Sequence, residues 1–179
     1  MRYGNVMFSR GSVIPLFIKQ ILDGKPITLT VPEMTRFLMP LSESVELVQF
    51  AFNNARQGDL FIRKAAAATM ADLLSAIKNI MSSPDHPVEV IGWRHGEKLY
   101  ETLASSQELS TAEDMGDYWR LQTDLRTLDY KPFFSEGEHG VKEFEEFNSH
   151  NTIRLTVPQV ETLLLSLPEV QAAVASGSL

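Results

Sequence analysis

Residues 1–17 read "MRYGNVMFSRGSVIPLF", and the way their first six residues pair decides the fold. Arg2-Tyr3-Gly4-Asn5-Val6 has the form of the last part of a strand running into a Gly/Ser loop, Phe8 to Ser12. Such a strand needs partners from later in the chain, and the sequence beyond it supplies candidates. "VIPLFIKQILDGK" (13–25) spaces Leu16, Ile18, Ile21 and Leu22 for a helix, with Pro15 tolerated in the first turn and Gly24 as the stop. "ITLT" (27–30) reads as a short strand, Pro32 marks a turn, and "TRFLMPL" (35–41) reads as extended chain. Ser42 is expected to cap a second helix with Val45, Leu47, Val48, Ala51 and Phe52 on its apolar face, closed by Gly58.

"DLFIR" (59–63) is the next strand. Thr69-Met70-Ala71-Asp72 has the form of a capping box, opening a third helix that buries Leu73, Leu74, Ile77 and Ile80. "VEVIG" (88–92) follows the loop Pro84-Asp85-His86-Pro87 as a strand. Strands alternating with helices indicate an α/β chain. From Trp93 the periodicity loosens. "STAEDMGDYWRLQTDLRT" (110–127) and "FSEGEHGVKEFEEFNSHN" (134–151) predict loops, a hairpin and an exposed acidic face, and "PQVETLLLSL" (158–167) predicts a final helix ending before Pro168. The small-residue run Ala65 to Ala68 predicts close packing against a neighbour.

At 179 residues and 44% hydrophobic content, the chain is long enough to bury a core. A net charge of −7 gives no general attraction to nucleic acid or anionic lipid, so any phosphate must be held by a few placed arginines. The absence of cysteine removes disulfides, thiolate catalysis and thiolate metal sites, and fits a reducing compartment. The apolar run Val13 to Ile18 is too short for a signal sequence and is followed by Lys19 with no small-residue cleavage site. These features predict a soluble, cytoplasmic protein with no membrane or nucleic-acid partner.

No GxGxxG, GxxxxGK[ST], HExxH or GxSxG motif occurs. His86, His95, His139 and His150 are scattered without metal-ligand spacing and read as solvated loop histidines; no metal site is expected. Two arginines stand out. Arg36 lies among apolar neighbours in "MTRFLMPL", where its guanidinium needs a partner that offsets desolvation. Arg94 opens "RHGEKLYE", in which Gly96 lets the backbone turn and Glu97 presents a carboxylate. They are either ordinary ion-paired arginines or a clamp for a diphosphate, whose oxygens match the guanidinium fork two at a time, with Glu97 accepting from a sugar diol. Spacing alone leaves both open.

Five blocks, "RYGNVMFSRGSVIPLFIKQI", "GKPITLTVPEMTRFLM", "RHGEKLYETL", "AEDMGDYWRL" and "EFNSHNT", together resemble the capsular-polysaccharide UDP-N-acetylglucosamine 4,6-dehydratases, the 5-epimerising branch of the extended short-chain dehydrogenase/reductases. The resemblance runs in consistent order along essentially the whole chain. It implies an α/β fold that is the C-terminal part of a Rossmann-type enzyme: the last strands of the nucleotide-binding sheet interwoven with substrate-binding segments over residues 1–92, and a small mixed α/β substrate-binding region over 93–179. The glycine-rich NAD(P) loop and the Tyr-x-x-x-Lys catalytic pair of that family are not found in this sequence, so the resemblance implies no catalytic residue here and no NAD(P) binding by this chain alone.

It further implies that Tyr3 and Gly4 lie beside the nicotinamide of the whole enzyme and that Asn5 faces the sugar or phosphate. Arg10, Ser12 and Val13 would line the mouth for the nucleotide sugar, Thr28, Leu29 and Thr30 would flank the uracil, Arg36 and Arg94 would hold the diphosphate, and Glu97 the ribose hydroxyls. The implied reaction takes hydride from C4 of the glucosamine ring, eliminates water across C5 and C6, and returns hydride to C6, with or without inversion at C5. A remnant that binds UDP-sugar, or only packs against a partner, is the alternative. The expected partners are a UDP-sugar and either further copies of the chain or a missing N-terminal half. Phe8 departs from the family pattern, which has a small residue there, and places a phenyl ring beside the substrate loop.

Overall fold

The opening segment finds its partners at both of its ends. In the computed structural model, which describes residues 1–122 and 145–178, Arg2 bridges in parallel to Ile62 and Val6 in parallel to Met39. The Arg2 amide donates to the Phe61 carbonyl at 2.8 Å, and the Met7 amide to Met39 at 2.9 Å. The expected strand is therefore two separate bridges around Tyr3-Gly4-Asn5, not a continuous ladder. His139 and the acidic stretch 123–144 lie outside the described residues.

Six helices and nine short strands follow among the described residues: α1 Val13–Leu22, β1 Ile27–Leu29, β2 Thr35–Phe37, α2 Leu41–Asn54, β3 Leu60–Arg63, β4 Ala67–Thr69, α3 Met70–Ile80, β5 Val88–Val90, β6 Thr102–Ala104, α4 Ser106–Ser110, β7 Glu113–Asp114, β8 Tyr118–Leu121, β9 Phe147–Asn148, α5 Val157–Leu165 and α6 Pro168–Ser176. The fold is mixed α/β. β1 and β5 pair in parallel; β2–β4, β6–β9 and the three-stranded β3–β8–β7 sheet are antiparallel. β3 and β8 lie on opposite sides of residue 92, so the sheet joins the early and late parts of the chain.

The largest apolar cluster gathers Ile14, Phe17, Ile18 and Ile21 of α1, Leu73, Leu74 and Ile77 of α3, and Val160, Leu164 and Val170 of α5 and α6 over Ile27 and Leu29 of β1. A second, around Phe37, Met39, Ile62 and Leu103, includes Ala65 and Ala67, so the alanine run is a close-packing surface as its small side chains predict. A third joins Leu47 and Ala51 of α2 to Phe61 and Tyr118, with Phe50 stacked on Tyr118 at 4.1 Å between centroids.

Local punctuation accounts for most of the elements. Gly24 sits at φ 66° just past α1, the left-handed conformation a helix stop requires. Thr69 caps α3, its hydroxyl accepting from the Asp72 amide at 2.9 Å and donating to the Asp72 carboxylate at 2.6 Å, so the expected box closes between side chains. Other expectations change. α2 starts at Leu41 behind Pro40, one residue before the expected cap Ser42, and ends at Asn54, leaving Gly58 to the turn into β3. Its buried face is Ser44, Leu47 and Ala51, while Val45 and Phe52 are 49% and 85% exposed. Leu16 is also exposed, and Phe17 replaces it in the core. Pro168 does not end the chain's helical part: it occupies the first turn of α6, where its missing N–H costs nothing.

Phe8 is one of two non-glycine residues at positive φ among the described residues, at 57°. A side chain in that conformation crowds the backbone, which gives a physical reason for a small residue at this position. The ring packs against the largest apolar cluster and is not among the cavity-lining residues.

The first residues are pinned by charge as well as by backbone. Arg2 forks onto Glu108 of α4 with three contacts of 3.0 Å and reaches the Leu103 carbonyl at 2.8 Å. The Arg2 hydrogen bonds, followed by the Ser105 amide of the α4 capping box, lower the Glu108 pKa from 4.5 to about 2. A depressed carboxylate stabilises the fold above its unfolded value and loses that contribution as pH falls through its folded value. The stability difference between wild type and Glu108→Gln should therefore be constant above pH 5 and vanish between pH 4.5 and about 2, read from thermal midpoints across that range.

Candidate functional site

Between the N-terminus of α1, Thr28 of β1 and Thr30 just beyond it, β2 and the 94–97 turn lies a cavity of about 540 Å³. Strand alternation builds one wall: Ile27 and Leu29 are buried in the apolar core, so Thr28 and Thr30 face the cavity. Gln20 brackets Thr28, its amide donating to the hydroxyl at 2.9 Å and its oxygen accepting from the Thr28 amide at 3.2 Å. The hydroxyl proton of Thr28 is left to donate elsewhere. Met34, Met70 and Leu73 provide apolar lining.

α1 aims its N-terminus at this space. Ser12 occupies the cap position without making the usual side-chain cap bond, and Gly11 before it sits at φ 75°. The Ser12 hydroxyl is buried and has no hydrogen-bond partner among the described residues. The free N–H groups and dipole of the first turn favour an anion at this end of the helix. Opposite it, Gly96 at φ 82° turns the chain so that Glu97 reaches the cavity, and Glu97 Oε2 is likewise buried without a partner among the described residues. Two orphaned polar atoms lining one cavity are a costly arrangement unless a ligand satisfies them.

The two arginines differ. Arg36, on β2, keeps 18% of its side-chain surface and is held on three sides: NH1 donates to the Thr35 carbonyl at 2.8 Å and the Leu99 carbonyl at 3.4 Å, and Nε lies 3.7 Å from the Glu101 carboxylate. Arg94 is exposed and makes no ion pair among the described residues. Both line the cavity, together with Asn5, Ser12, Val13, Thr28, Thr30 and Glu97.

Four expected residues lie elsewhere. Leu29 points into the core at 4% exposure, and Arg10 is exposed outside the cavity lining. Tyr3 is 47% exposed and also outside it. Gly4 has its missing side chain filled by the protein itself: a Cβ there would lie 2.7 Å from Phe37 Cγ. Tyr3 and Gly4, expected beside a cofactor held by another part of the whole enzyme, thus lie outside this cavity. The residues that sequence reasoning missed are the supports, Glu101 and Met34. Glu101 is distant in sequence from Arg36, though a lone charge within "LYETL" (99–103) is a signal; Met34 fills the gap beneath Thr30 and Arg36, contacting them through sulfur at 3.5 and 3.7 Å. Among the described residues no cluster of His, Asp and Glu is placed to hold a metal ion, and no helix is long and apolar enough to cross a membrane.

Comparison with known proteins fits this geometry. Over 170 residues the chain is 53% identical to a UDP-glucose 4-epimerase of Rickettsia canadensis (strain McKiel) and 52% identical to that of Rickettsia felis (strain ATCC VR-1525 / URRWXCal2), covering 95% of this chain and 50% of each relative. The chain spans about half the length of the curated relatives it matches. It superposes on the X-ray structure of Pen from Bacillus thuringiensis with a TM-score of 0.74 at 30% identity, covering 92% of this chain and 47% of that one. The family profile described as polysaccharide biosynthesis protein matches residues 1–123, and that of its C-terminal region matches residues 124–171. With its sequence matched by these family profiles over most of its length, the chain belongs to the polysaccharide biosynthesis protein family.

Proposed function

We propose that this chain is the substrate-binding half of a nucleotide-sugar epimerase or dehydratase, and that its cavity takes a UDP-hexose. The observation that carries this reading is the pairing, in one cavity, of two orphaned buried oxygens, the Ser12 hydroxyl, which can donate to a phosphate, and the Glu97 carboxylate oxygen Oε2, which can accept from a sugar hydroxyl, with two arginines and a helix N-terminus. The diphosphate lies toward Arg36, Arg94 and the first turn of α1, Glu97 accepts from the ribose hydroxyls, and Thr28 and Thr30 flank the uracil. Within the family, the five sequence blocks favour UDP-N-acetylglucosamine 4,6-dehydration, with or without inversion at C5. The names of the curated relatives favour 4-epimerisation of UDP-glucose instead. Both reactions oxidise C4 of a UDP-hexose, so the cavity described here serves either. The NAD(P) that performs the oxidation would be bound by the part of the whole enzyme that the relatives have in addition.

Trp93 is 59% exposed and adjoins Arg94, which makes its fluorescence a reporter. Titration with UDP should give a saturable change, with uridine binding at least about 10-fold more weakly because it lacks the charge-assisted contacts. Equal binding of uridine and UDP, or no saturation by either, overturns the reading. Competition between UDP-N-acetylglucosamine and UDP-glucose then shows which UDP-hexose the cavity prefers.

A further inference from the structure

We infer that Ser149 is a positioning residue that fixes the Arg36 guanidinium toward the cavity; this rests on the functional reading above. The block "EFNSHNT" belongs to no wall of the cavity, yet Ser149 and Thr35 are both 0% exposed and bonded to each other. Every valence of the Ser149 hydroxyl is used. Its proton goes to the Thr35 carbonyl at 3.0 Å, and its lone pairs accept from Thr35 Oγ1 at 2.8 Å and from the Glu101 amide at 2.9 Å. The Ser149 amide returns a bond to the Glu101 carbonyl at 2.8 Å.

Two of the three braces of Arg36 meet at this hydroxyl, the Leu99 carbonyl being the third. The Thr35 carbonyl that Ser149 holds is the one that accepts Arg36 NH1, and the Glu101 backbone that Ser149 holds carries the carboxylate facing Arg36 Nε. With Nε and NH1 so occupied, NH2 has only the Met34 sulfur at 3.7 Å among the described residues and is the edge of the fork left for a ligand. Ser149 itself is held by a reciprocal turn: Asn148 Oδ1 accepts from the amides of His150 and Asn151 at 2.8 and 3.0 Å, and Asn151 Oδ1 accepts from the Asn148 amide at 3.0 Å. A single hydroxyl, far from Arg36 in sequence, thereby sets the direction of a long side chain that would otherwise lose rotamer freedom on binding.

The test has a ligand-free arm and a ligand arm. In the free chain, the Arg36 Nε–H resonance should exchange slowly with solvent, and Ser149→Ala should speed that exchange at least about 10-fold while the resonances of Arg63 and Arg120 stay unchanged. With UDP, Ser149→Ala should weaken binding about 10-fold in the wild-type background and not at all in Arg36→Ala, because a residue acting through Arg36 has nothing left to position. An unmoved Arg36 resonance, or equal losses in both backgrounds, overturns the inference and leaves Ser149 a core hydrogen bond only. Should Ser149→Ala not fold, Ser149→Cys keeps the shape with a weaker donor and acceptor, and the same readings apply with smaller changes. If wild type binds no UDP, the functional reading fails, and the resonance arm still decides whether Ser149 directs Arg36.

Discussion

Gly4→Ala should be strongly destabilising although it adds a single methyl group. The added Cβ would fall within van der Waals distance of Phe37 Cβ and 2.7 Å from its Cγ, and Phe37 has no room to retreat: it is 0% exposed and packs against Phe147 at 5.6 Å between ring centroids. Gly4 is not at positive φ, so the cost is overlap and not backbone conformation. Overpacking of this kind costs about 3 kcal/mol, a fall in thermal midpoint of roughly 6–12 °C for a chain of this length. Phe37 also borders the cavity and neighbours Arg36 on β2, so ligand affinity should fall with stability. Differential scanning calorimetry of Gly4→Ala and of Gly4→Ala/Phe37→Leu checks it, since the smaller partner should recover part of the loss. A midpoint within 2 °C of wild type for Gly4→Ala alone would show that Phe37 yields to the added methyl at little cost.

Loss of either arginine should weaken UDP binding roughly 10- to 100-fold, the value of one to two charge-assisted contacts, but with different signatures. Arg94 is exposed and unpaired among the described residues, so Arg94→Ala should leave the thermal midpoint within 1 °C of wild type, and Arg94→Lys should fall between the two because it keeps the charge without the fork. Arg36 is tied to Thr35, Leu99 and Glu101, and its removal leaves the Leu99 and Glu101 acceptors without it, so Arg36→Ala should lower affinity and stability together. Glu97→Gln should cost less than either, since the amide oxygen still accepts from a hydroxyl. Calorimetric titration with UDP beside thermal scans of each variant distinguishes these outcomes. An Arg94→Ala chain that binds UDP as wild type does would remove Arg94 from the diphosphate assignment.

The parts of the fold that could be read in advance are those whose cause is local. α1 lies where its apolar spacing and Gly24 put it, α3 begins at the Thr69 cap, and the 94–97 turn forms at Gly96 because each depends on residues a few positions apart. The face of α2 cannot be read locally because its sequence has apolar residues on two sides: Leu47 and Ala51 meet Phe61 and Tyr118, which arrive from β3 and β8, while Val45 and Phe52 stay exposed. No local rule chooses between those stripes. α5 ends before Pro168 as expected, at Leu165, but it is not the final helix: Pro168 opens α6, since proline serves both as a stop and as a first-turn residue and only the packing of Val170 and Ala173 decides. In the site, Thr28 and Thr30 were placed on one wall with Leu29 between them, which period-two alternation forbids for side chains. Glu101, Thr35 and Ser149 escaped because their relation to Arg36 exists only after β2, β6 and β9 are assembled.

The left-handed backbone at Phe8 shapes what evolution can do at that position. Any side chain there pays a conformational penalty of about 1–2 kcal/mol, and a half-buried phenyl ring returns about 1 kcal/mol by covering the apolar cluster. Glycine avoids the penalty and forgoes the return, so the smallest and the largest residues arrive at nearly the same stability. Valine and isoleucine, branched next to the backbone and too short to cover the cluster, take the penalty without the return. Glycine and phenylalanine at residue 8 are therefore near-equal in stability, and residues of intermediate size fall below both.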